Sequence, residues 1–539
     1  MYRVCVAANA ALFTFDRPGL VDVLRRFAVT VLLCGALVSP GLAQDVTLTS
    51  RDGAVELSGT LLGFDGEYYR VDTVYGELTV DGSGVRCEGP ACPSLEDYVA
   101  RLSISGAASM AEVLMPALVE GFALREGHGF RREPLDASHF EYLLFDRETG
   151  RDLGRFRFRV GTSDEGFADL LANEADIVMS LREIRAEEVR RAREAGLGDL
   201  SARGRFRVLA LDALVPIVAA TNPLDRIGTP DLARVFAGQI TNWADLGGPD
   251  APISLHLRDT GSGLGQAAAD RLVLPMGGRV ADTVQRHSSD AGLALAVAAD
   301  PFGIGLASAS ETGSAARLGL SGVCGFTLSA SRQTVKTEDY PLTAPMFLYV
   351  PARRLPRLAR EFLFYTRSAP AQLVIRRAGF VDLAPEAIPI SAQGDRFANA
   401  IAQAGPEVGL EELQRMVAVL GPMQRLSTTF RFEVGSARLD AQSRSNVDQL
   451  ARGLEDGAYD GRRLVFVGFS DSDGAATVNR TIAQRRAEAV RQAVMAAAET
   501  ADFDQVELAT EAFGEAMPMA CDDSAWGSQV NRRVEVWLK

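Results

Sequence analysis

The sequence predicts a multidomain α/β protein, because its pattern changes several times along 539 residues. A strand-rich start is followed by a long region in which apolar strands and helices alternate, and the C-terminal part has the element order of a β/α sandwich. A chain of this length exceeds what one hydrophobic core usually serves. We therefore divide the sequence into residues 1–43, 44–97, 98–385, 386–425 and 426–539.

Residues 1–43 contain an export signal. Arg25 and Arg26 precede a short apolar run that begins at Phe27, and the small residue Ala43 offers a cleavage point before Gln44. We interpret the residues before this signal as an N-terminal extension. An uncleaved membrane anchor is the alternative, but the apolar run is short for a membrane span.

The composition excludes several functional classes. The sequence has 70 Asp and Glu against 56 Lys and Arg, which argues against nucleic acid as a general partner. The four histidines are scattered, and neither a nucleophile elbow nor a phosphate loop with lysine occurs. We therefore expect a binding protein that needs no metal or cofactor, and not an enzyme.

The pattern of residues 44–97 predicts a small β unit. Apolar residues alternate along its runs, for example Val55 with Leu57 and Tyr69 with Val71, and turn signals separate the runs. The pattern favours a packing or spacer module.

Four cysteines follow the export signal. Cys87 and Cys92 flank a short loop of turn residues, and an oxidising compartment favours a disulfide between them. A metal site is the weaker alternative, because no histidine or second cysteine pair accompanies them. Cys324 and Cys521 are expected to lie in different domains and to be unpaired or buried.

Residues 98–385 contain turns suited to binding an anion. Ser109 follows a strand and precedes an apolar helix that begins at Met110, and Ser262 and Gly263 open another helix. A strand, a turn of small residues and a helix N-terminus present free backbone N–H groups and a positive dipole end. Arg258 lies just before the second turn.

The most specific segment of this region runs from Phe236 to Gly248, with the pattern Phe-x-Gly-x-Ile-x-Asn-Trp-x-x-Leu-Gly-Gly. Together with Gly161-Thr-Ser-Asp-Glu-Gly166 and Tyr340-Pro-Leu342, it makes residues 99–383 resemble the phosphate-binding proteins of ABC import systems. The resemblance implies a type II periplasmic-binding-protein fold, in which two lobes joined by crossing strands close on a ligand. It implies phosphate or a related small oxyanion as ligand and an inner-membrane permease as a candidate partner. The implied contacts are Ser109, Ser180, Arg182, Arg258, Ser262 and Gly263.

The turns also depart from the usual pattern of that family. Ala107 and Ala108 stand where it has hydroxyls, and Leu264 replaces a threonine. A dehydrated oxyanion needs nearly every acceptor filled, and each missing partner costs about 1–3 kcal/mol. The alternative hypothesis is a binding-protein fold that has lost its solute and binds proteins instead.

Residues 386–425 are interpreted as a linker. Pro389 interrupts the chain, and Leu410, Leu413, Val417 and Leu420 follow the spacing of one helix face. We predict a short amphipathic linker helix.

A polar turn follows a buried strand in residues 426–539. The apolar run 464–467 leads into a turn that holds Asp471, and Asn479 can cap the helix that follows. Asn479 and Arg486 are seven residues apart and therefore share a helix face. Asp471 and Arg486 can bind the amine and the carboxylate of a zwitterion. In the alternative reading, Asp471 only caps the turn, and Arg486 is only a solvated residue on the helix surface.

This turn and helix, with Asn531-Arg532-Arg533 near the end, resemble the OmpA-like peptidoglycan-binding domain over residues 428–539. The resemblance implies that Asp471 binds the amine of meso-diaminopimelate and Arg486 its carboxylate. It places Asn479 and Arg532 near the site.

These features predict a cell-envelope protein of a Gram-negative bacterium, attached to peptidoglycan in the periplasm, with the outer membrane as a further place of association. Its middle region would capture phosphate or a related oxyanion. The second hypothesis is a structural envelope linker whose middle and N-terminal domains bind other envelope proteins.

Overall fold

The computed structural model describes residues 45–94, 97–321, 327–433, 436, 438–522 and 525–539. The export signal predicted in residues 1–43, and Cys324, lie outside these residues. The described residues form two compact units, one up to Ser94 and the other after it. Among the helices described, none is both long and apolar enough to cross a membrane.

The first unit is an antiparallel sheet of five strands in the order β4-β3-β2-β1-β5. The strands are β1 Val46–Ser50, β2 Glu56–Phe64, β3 Tyr68–Thr73, β4 Gly76–Asp81 and β5 Val85–Glu88. Alternation along β1 and β3 buries Val46, Leu48, Tyr69 and Val71 as its core. A disulfide joins Cys87 to Cys92 beside that core.

The second unit begins with a middle domain in which strands and helices alternate. Its strands are β6 Ala100–Ala107, β7 His128–Pro134, β8 His139–Asp146, β9 Asp152–Gly161, β10 Ile177–Ser180, β11 Phe206–Val218, β12 Arg226–Gly228, β13 Ser254–Arg258, β14 Gln285–His287, β15 Gly303–Ser308, β16 Ala316–Arg317, β17 Gly319–Ser321, β18 Thr327–Leu328 and β19 Thr343–Tyr349. Its helices are α1 Met115–Arg125, α2 Ser163–Leu171, α3 Ala186–Glu194, α4 Thr229–Phe236, α5 Gly263–Ala268, α6 Asp290–Ala299, α7 Arg332–Lys336, α8 Arg357–Tyr365 and α9 Ala369–Arg377.

Two long strands join two lobes in this domain. The main sheet has the order β14-β13-β15-β11-β19-β10-β6-β9-β8-β7, and β16 also pairs with β11. The first part of β11, up to Ala213, pairs with β19, and its last part, from Leu214, pairs with β15. The first lobe therefore contains β6 to β10 and the second contains β13 to β15. β11 is buried along nearly its whole length, which explains why most of its residues are apolar.

The C-terminal domain is a sheet covered by helices on both faces. Strands β20 Ala387–Ile388, β21 Gln424–Arg431, β22 Arg463–Phe469, β23 Glu507–Gly514 and β24 Arg533–Leu538 take the order β20-β21-β24-β22-β23. The helices are α10 Gly394–Ala402, α11 Leu410–Leu420, α12 Ala441–Glu455, α13 Ala476–Ala497 and α14 Ala525–Asn531. Helices α12 and α13 pack on one face, while α10 and α11 pack on the other.

The segment predicted as a linker is part of this domain. β20 pairs with β21, and α11 buries Leu413, Met416 and Leu420 in the same core as Trp537 of β24. The amphipathic spacing therefore reflects packing on the sheet, not a free tether.

Cys521 is disulfide-bonded, which corrects the expectation of an unpaired or buried thiol there. Met519 and Ala520, directly before it, belong to the same core as the middle domain. Cys521 therefore follows residues that pack with the middle domain, although its position in the sequence places it in the C-terminal domain.

Candidate functional site

Two turns of the middle domain meet where the lobes face each other. Gly263, the first residue of α5 in the second lobe, lies so close to β6 of the first lobe that a Cβ on it would be 2.8 Å from the Cβ of Ala107. Nearby, the backbone N–H of Ser163 donates to Oε1 of Gln266 at 3.0 Å. The lobes are therefore in direct contact at the predicted anion turns.

Arg258 lies at the end of β13, beside these turns, and is buried. Its Nη1 donates to the carbonyl of His287 at 3.0 Å, and its Nε lies 2.6 Å from Oδ1 of Asp290. No hydrogen bond joins Nη2 to any of the described residues, so this group is available to a ligand. Burial raises the pKa of Asp290, although the charge of Arg258 acts in the opposite direction.

A second carboxyl group lies in the same place. Desolvation raises the pKa of Glu112, and the charges of Arg258 and Asp290 also act on it. Glu112 belongs to the π-helical turn Met110–Leu114 that follows Ser109. The Ser109 hydroxyl is buried and has no hydrogen-bond partner within the part of the chain that is described. Ser109 and Arg258 therefore retain polar groups for a ligand.

Ser180 and Ser262, by contrast, use their hydroxyls locally. Oγ of Ser180 donates to the carbonyl of Arg182 at 2.7 Å and accepts from its N–H at 3.2 Å. Oγ of Ser262 donates to the carbonyl of Asp259 at 2.7 Å and accepts from the N–H of Gly265 at 3.0 Å. Both serines shape their turns.

Arg182 is held by carboxylates of its own lobe. Its guanidinium donates to Asp164 and to Glu188, and it lies 5.0 Å from the ring centroid of Phe167. These partners occupy the donors that an anion would need.

Asp212, which was not among the predicted site residues, lies on β11 near the point where the lobes join. Its carboxyl accepts from Oγ of Ser308 at 2.6 Å and from the N–H groups of Ala213 at 2.7 Å and Ala309 at 3.1 Å. Burial raises the pKa of Asp212 to about 6. A single carboxylate within an apolar strand was the signal that could have indicated it.

The charged residues predicted in the C-terminal domain do come together. Asp471 follows β22, and its Oδ2 accepts from Nη1 of Arg532 at 2.6 Å. Arg486 on α13 is half-buried over the ring of Phe432, 5.4 Å from its centroid. Desolvation and the charge of Arg532 lower the pKa of Arg486, while Asp471 opposes them. Asp471 is thus paired with Arg532, and its charge also acts on Arg486.

One donor of Arg486 is unused. Its Nη1 is buried and makes no hydrogen bond to the residues that the structure describes. A buried cationic donor without an acceptor is costly, which favours an anionic ligand group at this position.

Asn479 lies within α13 and not at its cap, because the helix already begins at Ala476. Gly474 turns the chain with a φ of 95°, which places the helix start earlier than predicted. The Asn479 side chain donates to Oε2 of Glu515 at 2.6 Å. Its Nδ2 also lies 3.5 Å from the carbonyl oxygen of Gly474, so Asn479 contacts the turn that holds Asp471.

The structure thus combines a two-lobed α/β domain with a C-terminal domain that carries a charged turn. Residues 137–370 match the family described as "PBP superfamily domain", and residues 431–532 match the OmpA family. The chain thus contains a PBP-superfamily domain followed by an OmpA-family domain. These matches confirm the predicted fold class and both resemblances. Both families consist of binding proteins and not of enzymes.

Individual relatives match one domain each. Protein SphX of Synechococcus elongatus is 28% identical over 241 residues, which cover 42% of this chain and 69% of that protein. The peptidoglycan-associated lipoprotein of Pseudomonas putida is 35% identical over 114 residues, 21% of this chain and 63% of its own length. A crystal structure of an ABC-type phosphate transport receptor from Vibrio cholerae is 21% identical with a TM-score of 0.40, covering 52% of this chain and 99% of that one.

Proposed function

We propose that this chain is an exported cell-envelope protein that binds peptidoglycan through its OmpA-family domain. The observation that carries this proposal is the arrangement of Asp471, Arg486 and Arg532. Asp471 is paired with Arg532, its charge also acts on Arg486, and a buried donor of Arg486 has no acceptor among the described residues. A zwitterionic diamino acid would place its carboxylate on Arg486 and its amine beside Asp471. The name of the lipoprotein relative supports peptidoglycan as the partner.

Two neighbouring arginines of α13 allow a direct test. Arg486 is half-buried at the site, whereas Arg485 is exposed on the same helix. Arg486→Ala should release the full chain from purified sacculi, whereas Arg485→Ala should co-sediment as the wild type does. Asp471→Asn should behave like Arg486→Ala. Equal retention of all variants would refute this site.

We further propose that the PBP-superfamily domain captures phosphate or a related small oxyanion. Ser109 and Arg258 would supply the donors. Among the described residues the Ser109 hydroxyl has no partner, and Arg258 uses Nη1 and Nε but not Nη2 in its contacts with His287 and Asp290. The names of two relatives, both phosphate-binding proteins, support this ligand class. Calorimetric titration of the full chain with phosphate tests it directly.

Two arginines again provide a matched pair. Arg258→Lys keeps the charge beside Asp290 but loses the planar fork, so it should weaken phosphate binding by about tenfold or more. Arg182→Lys should leave the affinity nearly unchanged, because Arg182 is occupied by Asp164 and Glu188. Equal effects of the two changes would contradict the assignment.

One observation favours the second candidate, a structural linker without a solute. The carboxyl groups of Asp290 and Glu112 both interact with Arg258 and compete with an anion for its charge. If the titration gives no saturable heat and the purified chain contains no bound phosphate, this candidate replaces solute capture. Attachment to the wall would in either case hold the PBP-superfamily domain in place, which suits sensing, storage or scaffolding better than shuttling to a permease.

A further inference from the structure

A large cavity lies between the two domains of residues 97–539. Its volume is about 870 Å³. The C-terminal domain lines it with the peptidoglycan-site residues Asp471 and Arg532, and the middle domain lines it with Met276 and Pro341. The predicted wall-binding site therefore opens into a space that the middle domain helps to enclose.

Buried polar contacts fix the two walls of this cavity relative to each other. On one side of it, both oxygens of the Asp339 carboxylate accept hydrogen bonds from Arg425. Nη2 of Arg431 donates to the carbonyl of Glu338 at 2.6 Å. The N–H of Ala441 at the start of α12 donates to Oε1 of Glu183 at 2.9 Å. The middle domain thus forms a fixed part of the cavity wall.

The lining is suited to a ligand that donates hydrogen bonds. Carboxyl groups outnumber guanidinium groups in it: the acids are Glu183, Glu338, Glu433, Asp440, Asp471 and Asp473, against Arg271, Arg431 and Arg532. Gln442 also lines it, is buried, and keeps Oε1 without a partner among the described residues, while its Nε2 donates to Asn446. Amide N–H and amine groups would satisfy Oε1 of Gln442 and would suit the acidic side chains of Asp471 and Asp473.

The volume is larger than one amino-acid group needs. Pockets of roughly 300–1,000 Å³ enclose drug-sized ligands, and this cavity lies in the upper part of that range. Met276 and Pro341 add apolar surface to the polar lining. A short peptide, with its amide groups and aliphatic parts, matches both the size and the mixed character.

We propose that this cavity is an extension of the peptidoglycan site, in which the middle domain binds the peptide that carries the diamino acid. Asp471, Arg486 and Arg532 hold the diamino acid, and Met276, Pro341 and Gln442 contact the rest of the peptide. This inference rests on the proposed peptidoglycan function. It makes the PBP-superfamily domain a contributor to wall recognition, whatever solute it binds in its own cleft.

Two residues of one short helix, Leu274–Met276, allow a matched test. Both side chains are exposed, but Met276 lines the cavity and Leu274 does not. Met276→Trp in the full chain should fill part of the cavity and weaken calorimetric binding of a soluble muropeptide containing meso-diaminopimelate by about tenfold. Leu274→Trp should stay within about twofold of the wild type.

A second ligand separates the extension from the diamino-acid site. Free meso-diaminopimelate should bind Met276→Trp as it binds the wild type, because Met276 would contact only the rest of the peptide. The inference is overturned if Met276→Trp binds the muropeptide normally, or if it loses both ligands equally. If Asp471→Asn also binds the muropeptide normally, the proposed peptidoglycan function fails as well.

Discussion

Arg425 on β21 of the C-terminal domain holds Asp339 of the middle domain by two hydrogen bonds, with Nη1–Oδ2 at 2.5 Å and Nη2–Oδ1 at 2.9 Å. Both residues are buried. Nε of Arg425 also lies 3.3 Å from Oε2 of Glu535, which meets Arg396 and Arg533. Burial would raise the pKa of Glu535, but these arginines outweigh it and hold that pKa far below its usual value. A buried ion network thus joins the two domains.

Removing Arg425 should be costly. Arg425→Met would leave Asp339 and Glu535 buried with one cation fewer, which should lower the free energy of unfolding by about 3–5 kcal/mol. Arg203→Met provides the control, because Arg203 also joins the domains, through Asp448 at 2.8 Å, but is exposed. Its loss should cost less than about 1 kcal/mol. Urea unfolding measures both changes, and equal costs would contradict the importance of the buried network.

Ionisation of Glu338 should make the free energy of unfolding vary with pH. Burial raises its pKa to about 8 from an ordinary value near 4.5. Between these two pH values the folded chain keeps a proton that the unfolded chain releases, so the free energy of unfolding falls as the pH rises, at up to about 1.4 kcal/mol per pH unit. The stabilising effect of this proton is complete below pH 4.5 and lost above the folded-state pKa.

Glu338→Gln should remove this slope. A glutamine can still accept from Nδ2 of Asn446, which lies 3.1 Å from Oε1 of Glu338, and it does not titrate. The variant and the wild type should therefore unfold alike near pH 4.5, and the variant should be the more stable at pH 8 and above. Urea unfolding across this range measures the difference. Parallel curves would show that Glu338 ionises freely in the folded chain.

The sequence predicted the fold class and both family resemblances, because short motifs encode them. Asp471 and Arg486 lie within one strand–turn–helix unit, so their spacing indicated their proximity. Arg532 came near the site only through a family resemblance. The family resemblance implied Arg182 as an anion contact by its position alone. Position cannot show which groups neutralise a charge, and in the structure Asp164 and Glu188 hold Arg182.

The packing of α11 shows the same limit. Leu413 and Leu420 had the spacing of a helix face, but their partner, Trp537, lies more than a hundred residues later. An amphipathic pattern indicates that one face of a helix is covered, but it does not identify the residues that cover it. The segment was therefore interpreted as a linker.

Stability should accordingly depend on the buried face of α11. Leu420 is fully buried against the sheet, and Leu420→Ala should lower the free energy of unfolding by about 2–5 kcal/mol. Val417 on the same helix is 47% exposed, and Val417→Ala should change stability by about 0.5 kcal/mol or less. Urea unfolding of both variants distinguishes a packed helix from a tether, for which both changes would be mild.

Closure of the lobes should depend on the absence of a side chain at position 263. A Cβ on Gly263 would lie 2.8 Å from the Cβ and 3.1 Å from the Cα of Ala107, which cannot move aside as a flexible side chain could. Gly263→Ala should therefore lower the free energy of unfolding by about 1–3 kcal/mol. It should also reduce any phosphate-induced rise in Tm, because the lobes would be held apart.

Gly261 in the same turn is the matched control, since a Cβ there meets nothing within 4 Å. Gly261→Ala should keep both the stability and the phosphate response of the wild type. If Gly263→Ala also behaved as the wild type, the contact between α5 and β6 would not determine closure. Ser109 and Arg258 would then have to be brought to a common ligand by a different movement of the lobes, and their assignment to one anion site would lose its structural basis.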